Sequence, residues 1–424
     1  MRRTWIVTIL MFLPAGMSVG ADWRQFRGTE NNSVSPEKNL PVTFADDEQQ
    51  RRNVAWKVPL PGKGKSSPIV VGGRVMVTCS SGPRQDRLHV ICFDAATGKE
   101  LWHRQLWATG HTVCNPFGAV AVPTPASDGE LVFVFYSSND LACFDLDGNL
   151  RWFRGLAYEC PTTRNDVGMG SSPLVVGDVV IVQLENQGES FAAGVEKTTG
   201  RTRWRIPRDH DAIWSSPTLL KGERPLVLLQ GRDRLSAYDP ATGKRVWDYE
   251  ASCHTIASVT TCGSRVYLPA LGLHALQYDP ARGEVKPAWH EQRLRSGNSA
   301  SPVVDDGRCY TIKPPGILVC GDAEDGRVVW QLRLKGPFWA TPVAADGQLY
   351  CVNHRGLVQV VQLGKEGKLV GTSRIDPGIL ASPAVAGGAI YFRSDQYLWK
   401  VARDPKQEKG TGSPQKDHDR RHRN

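Results

Sequence analysis

Along this chain, short apolar runs are broken at close intervals by polar turns that carry Gly, Asp or Asn. Residues Pro68-Ile-Val-Val-Gly72-Gly73-Arg-Val-Met-Val-Thr78 show the pattern: two runs of β-branched and apolar residues joined by a glycine turn. It predicts short antiparallel strands and almost no helix.

The strands recur in a fixed order. A motif related to Ser-Ser-Pro precedes an apolar run eight times, in register with Pro68, Pro125, Pro173, Pro217, Val259 (a degenerate copy), Pro302, Pro342 and Pro383. Successive copies lie 40 to 57 residues apart, and the surplus length falls in the first two. A period of this size marks stacked supersecondary units.

A second motif closes each unit. It runs Asp94-Ala-Ala-Thr97-Gly98-Lys99-Glu-Leu-Trp102 and returns in the same frame at Glu196 to Trp204, Asp239 to Trp247 and Asp322 to Trp330. The copy from Asp145 to Trp152 is shorter, that from Asp279 to Trp289 is longer, and Leu363 to Gly371 keeps only Gly367. Asp can bond the amides of its own turn, and Gly can take the positive φ that a tight hairpin demands. The indole then enters the next strand, large enough to fill the gap between sheets. Trp102, Trp152, Trp204, Trp247, Trp289 and Trp330 are therefore read as blade-docking residues.

Four-stranded units repeated radially form a β-propeller. The fold class expected is all-β: an eight-bladed β-propeller of four-stranded antiparallel blades over residues 53–403. The last repeat lacks a fourth strand, and Asn53-Val-Ala-Trp56-Lys-Val-Pro-Leu60 can supply it, closing the ring and leaving no free edge.

Composition adds localisation. Arg2 and Arg3 precede an apolar run from Trp5 to Leu13, with small residues at Ser18-Val-Gly-Ala21. This is the layout of a secretory signal peptide, residues 1–21, and it predicts a periplasmic or secreted protein. No later apolar run is long enough to cross a bilayer. Residues 22–52 form an entry segment and 404–424 a basic, disordered tail. The signal and the stretch from Arg403 to Asn424 account for five of the nine net positive charges, leaving too little on the propeller for a nucleic-acid reading.

The ten cysteines include no CxxC and no adjacent pair. If Lys313-Pro-Pro-Gly316 is a hairpin turn, Cys309 and Cys320 become cross-strand neighbours able to pair; Cys114 and Cys160 could pair across two loops. Cys92 and Cys143 read as strand fillers. Catalytic constellations are weak, and Glu185-Asn186-Gln187 is read as a solvated turn.

Two regions are candidate sites. The residues three before each repeat's proline position should ring the channel mouth: Lys65, Val122, Gly170, Trp214, Ile256, Ser299, Trp339 and Leu380. This ring has no His, Asp, Glu or Cys, so it offers no metal ligands; Trp214 and Trp339 either stack on a planar ligand or plug the mouth. The surplus of the first two repeats forms insertions at 103–120 and 154–168 on that same face. They carry His111, Asn115, Phe117, Tyr158, Arg164 and Asp166 as candidate contacts, because long loops on a rigid scaffold commonly hold recognition residues.

The frame in Phe93-Asp94-Ala-Ala-Thr-Gly-Lys-Glu-Leu-Trp102 and Tyr238-Asp239-Pro-Ala-Thr-Gly-Lys-Arg-Val-Trp247 resembles the tryptophan-docking repeat of the pyrroloquinoline quinone (PQQ)-like β-propellers. Asp22-Trp23-Arg-Gln-Phe26-Arg-Gly28 is similar to that superfamily's entry segment, and the likeness spans about residues 22 to 403. The BamB-like non-catalytic branch implies an exported binding scaffold of the cell envelope, monomeric, that recognises a protein or glycan partner through one face. The other branch implies a PQQ-dependent alcohol or sugar dehydrogenase holding PQQ with calcium. Its adjacent cysteines are missing here, so no catalytic, cofactor or metal residue carries over and no cofactor is expected.

Overall fold

The computed structural model describes residues 21–47, 51–163, 167–297 and 299–404. The signal-peptide reading, apart from Ala21, and the basic tail beyond Asp404 lie outside them. Eight sheets are arranged by the repeat. Blade 1 holds Ile69–Val71, Arg74–Ser81, Arg87–Asp94 and Glu100–Trp107, in that order from the channel outward. Blades 2 to 7 span 126–155, 174–207, 218–250, 260–291, 303–333 and 343–374. Blade 8 takes Ala384–Ala386, Ala389–Arg393 and Tyr397–Ala402, and its outer strand is Val54–Pro59, paired with Tyr397–Val401. The N-terminal strand thus closes the ring.

Strand alternation builds the core between blades. In blade 1, Val75 and Val77 face a cluster with Trp56, Ile91 and Phe93 towards blade 8, whereas Met76, Leu88, Val90 and Cys92 face the other way, with Trp102, towards blade 2. Period-two placement sends successive side chains to opposite faces, so middle strands covered on both faces must be apolar throughout.

The Trp series locks each blade to the next. Trp102 Nε1 donates to Leu146 O, Trp152 Nε1 to Lys197 O, Trp204 Nε1 to Pro240 O, Trp289 Nε1 to Ala323 O and Trp330 Nε1 to Gly364 O, and Trp56 joins blade 8 to Ala95 O of blade 1. Each ring lies on the glycine of the neighbour's turn: a Cβ on Gly148 would meet Trp102 at 2.6 Å, and one on Gly243 would meet Trp204 at 2.6 Å. The lengthened Asp279 turn breaks this geometry. Gly283 approaches no indole, and the buried Trp247 Nε1 finds no acceptor. The worn copy has a cause as well: at Gly371, where Trp would stand, a Cβ would lie 2.0 Å from Val42 O of the entry segment.

That segment crosses the face opposite the insertions. Trp23 bonds Val70 of blade 1, Arg24 O accepts from Ser127 N of blade 2, and Val34–Ser35 adds a fifth, parallel strand inside blade 7. Among the described residues, helix is confined to one turn at Leu156–Glu159 and a 3-10 turn at Gln292–Leu294.

Three sequence expectations need correction. Ile312 pairs with Leu318 and Lys313 with Ile317, so the loop is the three residues Pro314–Gly316, not four. The register moves by one, Tyr310 faces Cys320 and Gly321 faces Cys309, and the two thiols enter different inter-blade clusters. Both are free. Cys114 and Cys160 are also free: Cys160 is buried with Leu156 and Met169, whereas Cys114 Sγ accepts from Gln85 Nε2 at 3.6 Å. Glu185 and Asn186 are buried, not solvated, because Glu185 pairs with buried Arg208 at 2.5 Å.

Candidate functional site

The Ser-Ser-Pro motif builds the channel wall. The residue before each proline position carries a hydroxyl, and seven of the eight accept the backbone N–H of their counterpart in the preceding blade. Ser67 N donates to Thr124 Oγ1, Thr124 N to Ser172 Oγ, Ser172 N to Ser216 Oγ and Ser216 N to Ser258 Oγ. Ser258 N continues to Ser301 Oγ, Ser301 N to Thr341 Oγ1 and Thr341 N to Ser382 Oγ, at 2.9 to 3.1 Å. These inner strands splay around an axis and cannot hydrogen-bond as a sheet, so the hydroxyl satisfies an amide that would otherwise be buried unpaired.

Above this belt lies a cup of about 240 Å³. Its lining contains all eight residues of the ring foreseen from the proline register, Lys65, Val122, Gly170, Trp214, Ile256, Ser299, Trp339 and Leu380, with seven of the eight belt hydroxyls beneath them. The floor is the entry segment: Phe26 lines the cup. Next to it, Arg27 is 1% exposed and donates to Thr260 Oγ1 at 2.6 Å, Val259 O at 2.6 Å and Thr218 Oγ1 at 3.2 Å, tying blades 4 and 5 together. Burial pulls its guanidinium down to about 9, still charged at neutral pH. The channel is therefore blind at one end and open at the other.

The insertions shape the rim. Asn115 N and Nδ2 both donate to Val167 O, at 3.2 and 3.3 Å, so the loops of neighbouring repeats grip each other. Asn115 Oδ1 accepts from Phe117 N, and the Phe117 ring meets His354 of blade 7 edge-on at 6.1 Å. The first insertion thus reaches over the mouth. Trp214 Nε1 donates to Gly168 O at 2.7 Å, fixing this indole in the wall, while Trp339 stays 40% exposed. Lys65 Nζ pairs with Asp395 at 2.7 Å; burial lowers its pKa and Asp395 opposes that shift.

Of the candidate residues, Asn115, Phe117, Trp214 and Trp339 come together at the cup. His111 and Tyr158 are exposed on the same face without lining it, and Arg164 and Asp166 lie outside the described residues. Sequence reasoning missed Phe26, Arg27 and the belt. The belt's signal was the Ser or Thr beside each proline, read only as a register mark.

Fold and site together define a PQQ-like repeat propeller with a closed-bottom cup. The family model described as outer membrane protein assembly factor BamB matches residues 48–193 and 188–409, and the chain belongs to that family. Outer membrane protein assembly factor BamB of Moranella endobia (strain PCIT) is 23% identical over 296 residues, 67% of this chain and 68% of that protein. The crystal structure of BamB from Moraxella catarrhalis is similar at TM-score 0.61 and 17% identity, covering 83% of this chain and 98% of that one. Quinohemoprotein alcohol dehydrogenase from Comamonas testosteroni is similar at TM-score 0.66 and 14% identity, covering 90% and 81% respectively. At these identities the structural likenesses carry the fold alone.

The dehydrogenase branch implies PQQ and calcium, and the lining does not fit that pair. Among the described residues it holds no Asp, Glu or His; its side-chain oxygens are hydroxyls and the Asn115 amide, and its one charged residue is Lys65. Calcium takes six to eight oxygens, carboxylates prominent among them.

Proposed function

We propose that this chain is a non-enzymatic scaffold exported to the cell envelope, and that it recognises a protein partner through the face around the cup. The distribution of exposed apolar side chains supports this reading most directly. Eleven large hydrophobic residues are exposed among the described residues; Leu101, Leu150, Val246, Leu369 and Val370 belong to outer strands. Those five stand at the strand ends that follow the opposite-face turns, whereas Trp107 closes the outer strand Glu100–Trp107 at its mouth end, and Val113, Phe117, Tyr158, Leu271 and Trp339 lie in the connections of the mouth face. The exposed aromatics Trp107, Phe117, Tyr158 and Trp339 are all on this side. Aromatic anchors grouped on one surface are the usual substance of a protein interface, and a lone exposed apolar residue would need no explanation. The match to an outer membrane protein assembly factor family supports the envelope setting. No helix among the described residues is long and apolar enough to cross a membrane.

Site-specific photo-crosslinking in cells tests the reading. A photoreactive residue at Phe117 or Leu271 should capture one discrete protein, whereas the exposed Asp178 and Glu324 on the opposite face should capture none. Equal capture from both faces, or capture only from the far one, would sink it.

A further inference from the structure

The hydroxyl belt has a one-sided hydrogen-bond balance. Seven of its eight members accept a backbone N–H from the preceding blade, and none donates its own O–H to a protein acceptor among the described residues. Residues such as Ser216 and Ser258 are 4% and 1% exposed, and both border the cup. Several O–H donors therefore converge on one small volume. Below them, Arg27 bonds two threonine hydroxyls and a carbonyl but no carboxylate, and its Nε is buried without a partner. Behind the wall, Arg393 is 1% exposed and bonded to Ser66, Ser394 and Cys79, again without a carboxylate. The nearby Asp395 is engaged by Lys65 and Gly64 N.

A buried cation without a counter-ion, placed under a ring of donors, complements a group that only accepts hydrogen bonds and carries negative charge. An ionised carboxylate is such a group, and charge-assisted hydrogen bonds of this kind are about twice as strong as neutral ones. The upper wall asks for something different: Val122, Met169, Ile256, Leu380, Trp214 and Trp339 form an apolar collar. We propose that the cup is a receptor for a small organic carboxylate, its carboxylate seated on the hydroxyl belt above Arg27 and its apolar body between Trp214 and Trp339. The volume, about 240 Å³, suits a compact ligand and lies below the usual range for drug-sized ones. The cup alone carries this inference, whether or not a protein seats on the mouth face.

Titration of the chain with benzoate, followed by tryptophan fluorescence and calorimetry, tests it against benzamide and inorganic phosphate. Benzoate should saturate one site and bind at least about tenfold more tightly than benzamide, which keeps the ring and loses the charge. Equal binding of benzoate and benzamide, phosphate binding as tight as benzoate, or no saturable benzoate binding would each overturn the proposal. Arg27→Gln should collapse the benzoate preference about tenfold, and an unchanged preference in the folded variant would refute the role of that cation. Because Arg27 also anchors the entry segment, Trp339→Ala gives a second handle on an exposed side chain. It should weaken benzoate and benzamide alike and preserve their ratio; unaltered affinity would refute the collar. Benzoate binding that persists where crosslinking fails would sink only the partner reading, and the reverse outcome only this one.

Discussion

Gly243→Ala and Gly283→Ala together test whether indole-on-glycine docking contributes stability beyond what the turn conformation requires. Both glycines follow an Asp in the same motif, and both have positive φ, +69° and +67°. An alanine in that region costs about 1–2 kcal/mol at either site. The surroundings differ. At position 243 the new Cβ would lie 2.6 Å from Cδ2 of Trp204, an indole held by its bond to Pro240 O at 2.8 Å and buried among Leu174, Ala192, Val227 and Leu229. At position 283 the nearest atom is Val246 Cγ1 at 3.6 Å, ordinary contact. Overpacking a closed interface adds about 1–3 kcal/mol, so Gly243→Ala should cost about 2–5 kcal/mol and Gly283→Ala only about 1–2. Equilibrium urea unfolding followed by tryptophan fluorescence reads the difference from the midpoints at a common slope. Adding Trp204→Ala to Gly243→Ala should destabilise by less than the sum of the single changes, since the clash included in that sum vanishes once the indole is gone. Equal costs at the two glycines, within about 0.5 kcal/mol, would refute the docking argument.

The same interfaces yield a second comparison. Trp102 Nε1 has its acceptor and Trp247 Nε1 has none, so Trp102→Phe should destabilise by about 1–3 kcal/mol more than Trp247→Phe in the same unfolding assay. A third prediction concerns acid. His89 is buried, held between Ser81 Oγ at 2.7 Å and His103 Nε2 at 2.9 Å, and burial, then His103 and Arg87, push its pKa down to about 4. Between that value and the ordinary 6.5 the unfolded chain binds a proton that the folded chain refuses. Stability should therefore rise with pH through this window and fall on acidification, by up to about 2 kcal/mol. His89→Gln should flatten that slope between pH 7 and pH 4.5, and an unaltered slope would show that other groups set it.

Much of the fold was legible because its information is local. Each turn declares itself through an Asp, a Gly and a following Trp, and the proline register placed all eight mouth residues on the cup. Even the odd lengths were visible, as with the turn after Asp279, but their consequence was not: only the packed blades show that the longer loop leaves Trp247 without an acceptor. The Cys309 register failed because one residue in a Pro-Pro-Gly loop decides which face a thiol takes, and spacing cannot count that residue as turn or strand. Glu185 looked solvated because its partner, Arg208, stands 23 residues further on, just past the end of the blade's outer strand Thr202–Pro207.

The sequence by itself determined the number of blades, the strand that closes the ring, and the face on which the two insertions stand. All three follow from spacing along the covalent chain, which a repeat writes out eight times. Tertiary structure alone decided what fills the channel. Arg27 reaches Thr260 and Ser35 bonds Val385 O across separations of 233 and 350 residues, so no local pattern announces that the entry segment forms a floor. The donors of the hydroxyl belt converge only once the ring closes, when hydroxyls about forty residues apart in sequence become neighbours around one axis. A repeat specifies each hydroxyl separately; the charge and shape of the cup are properties of their sum.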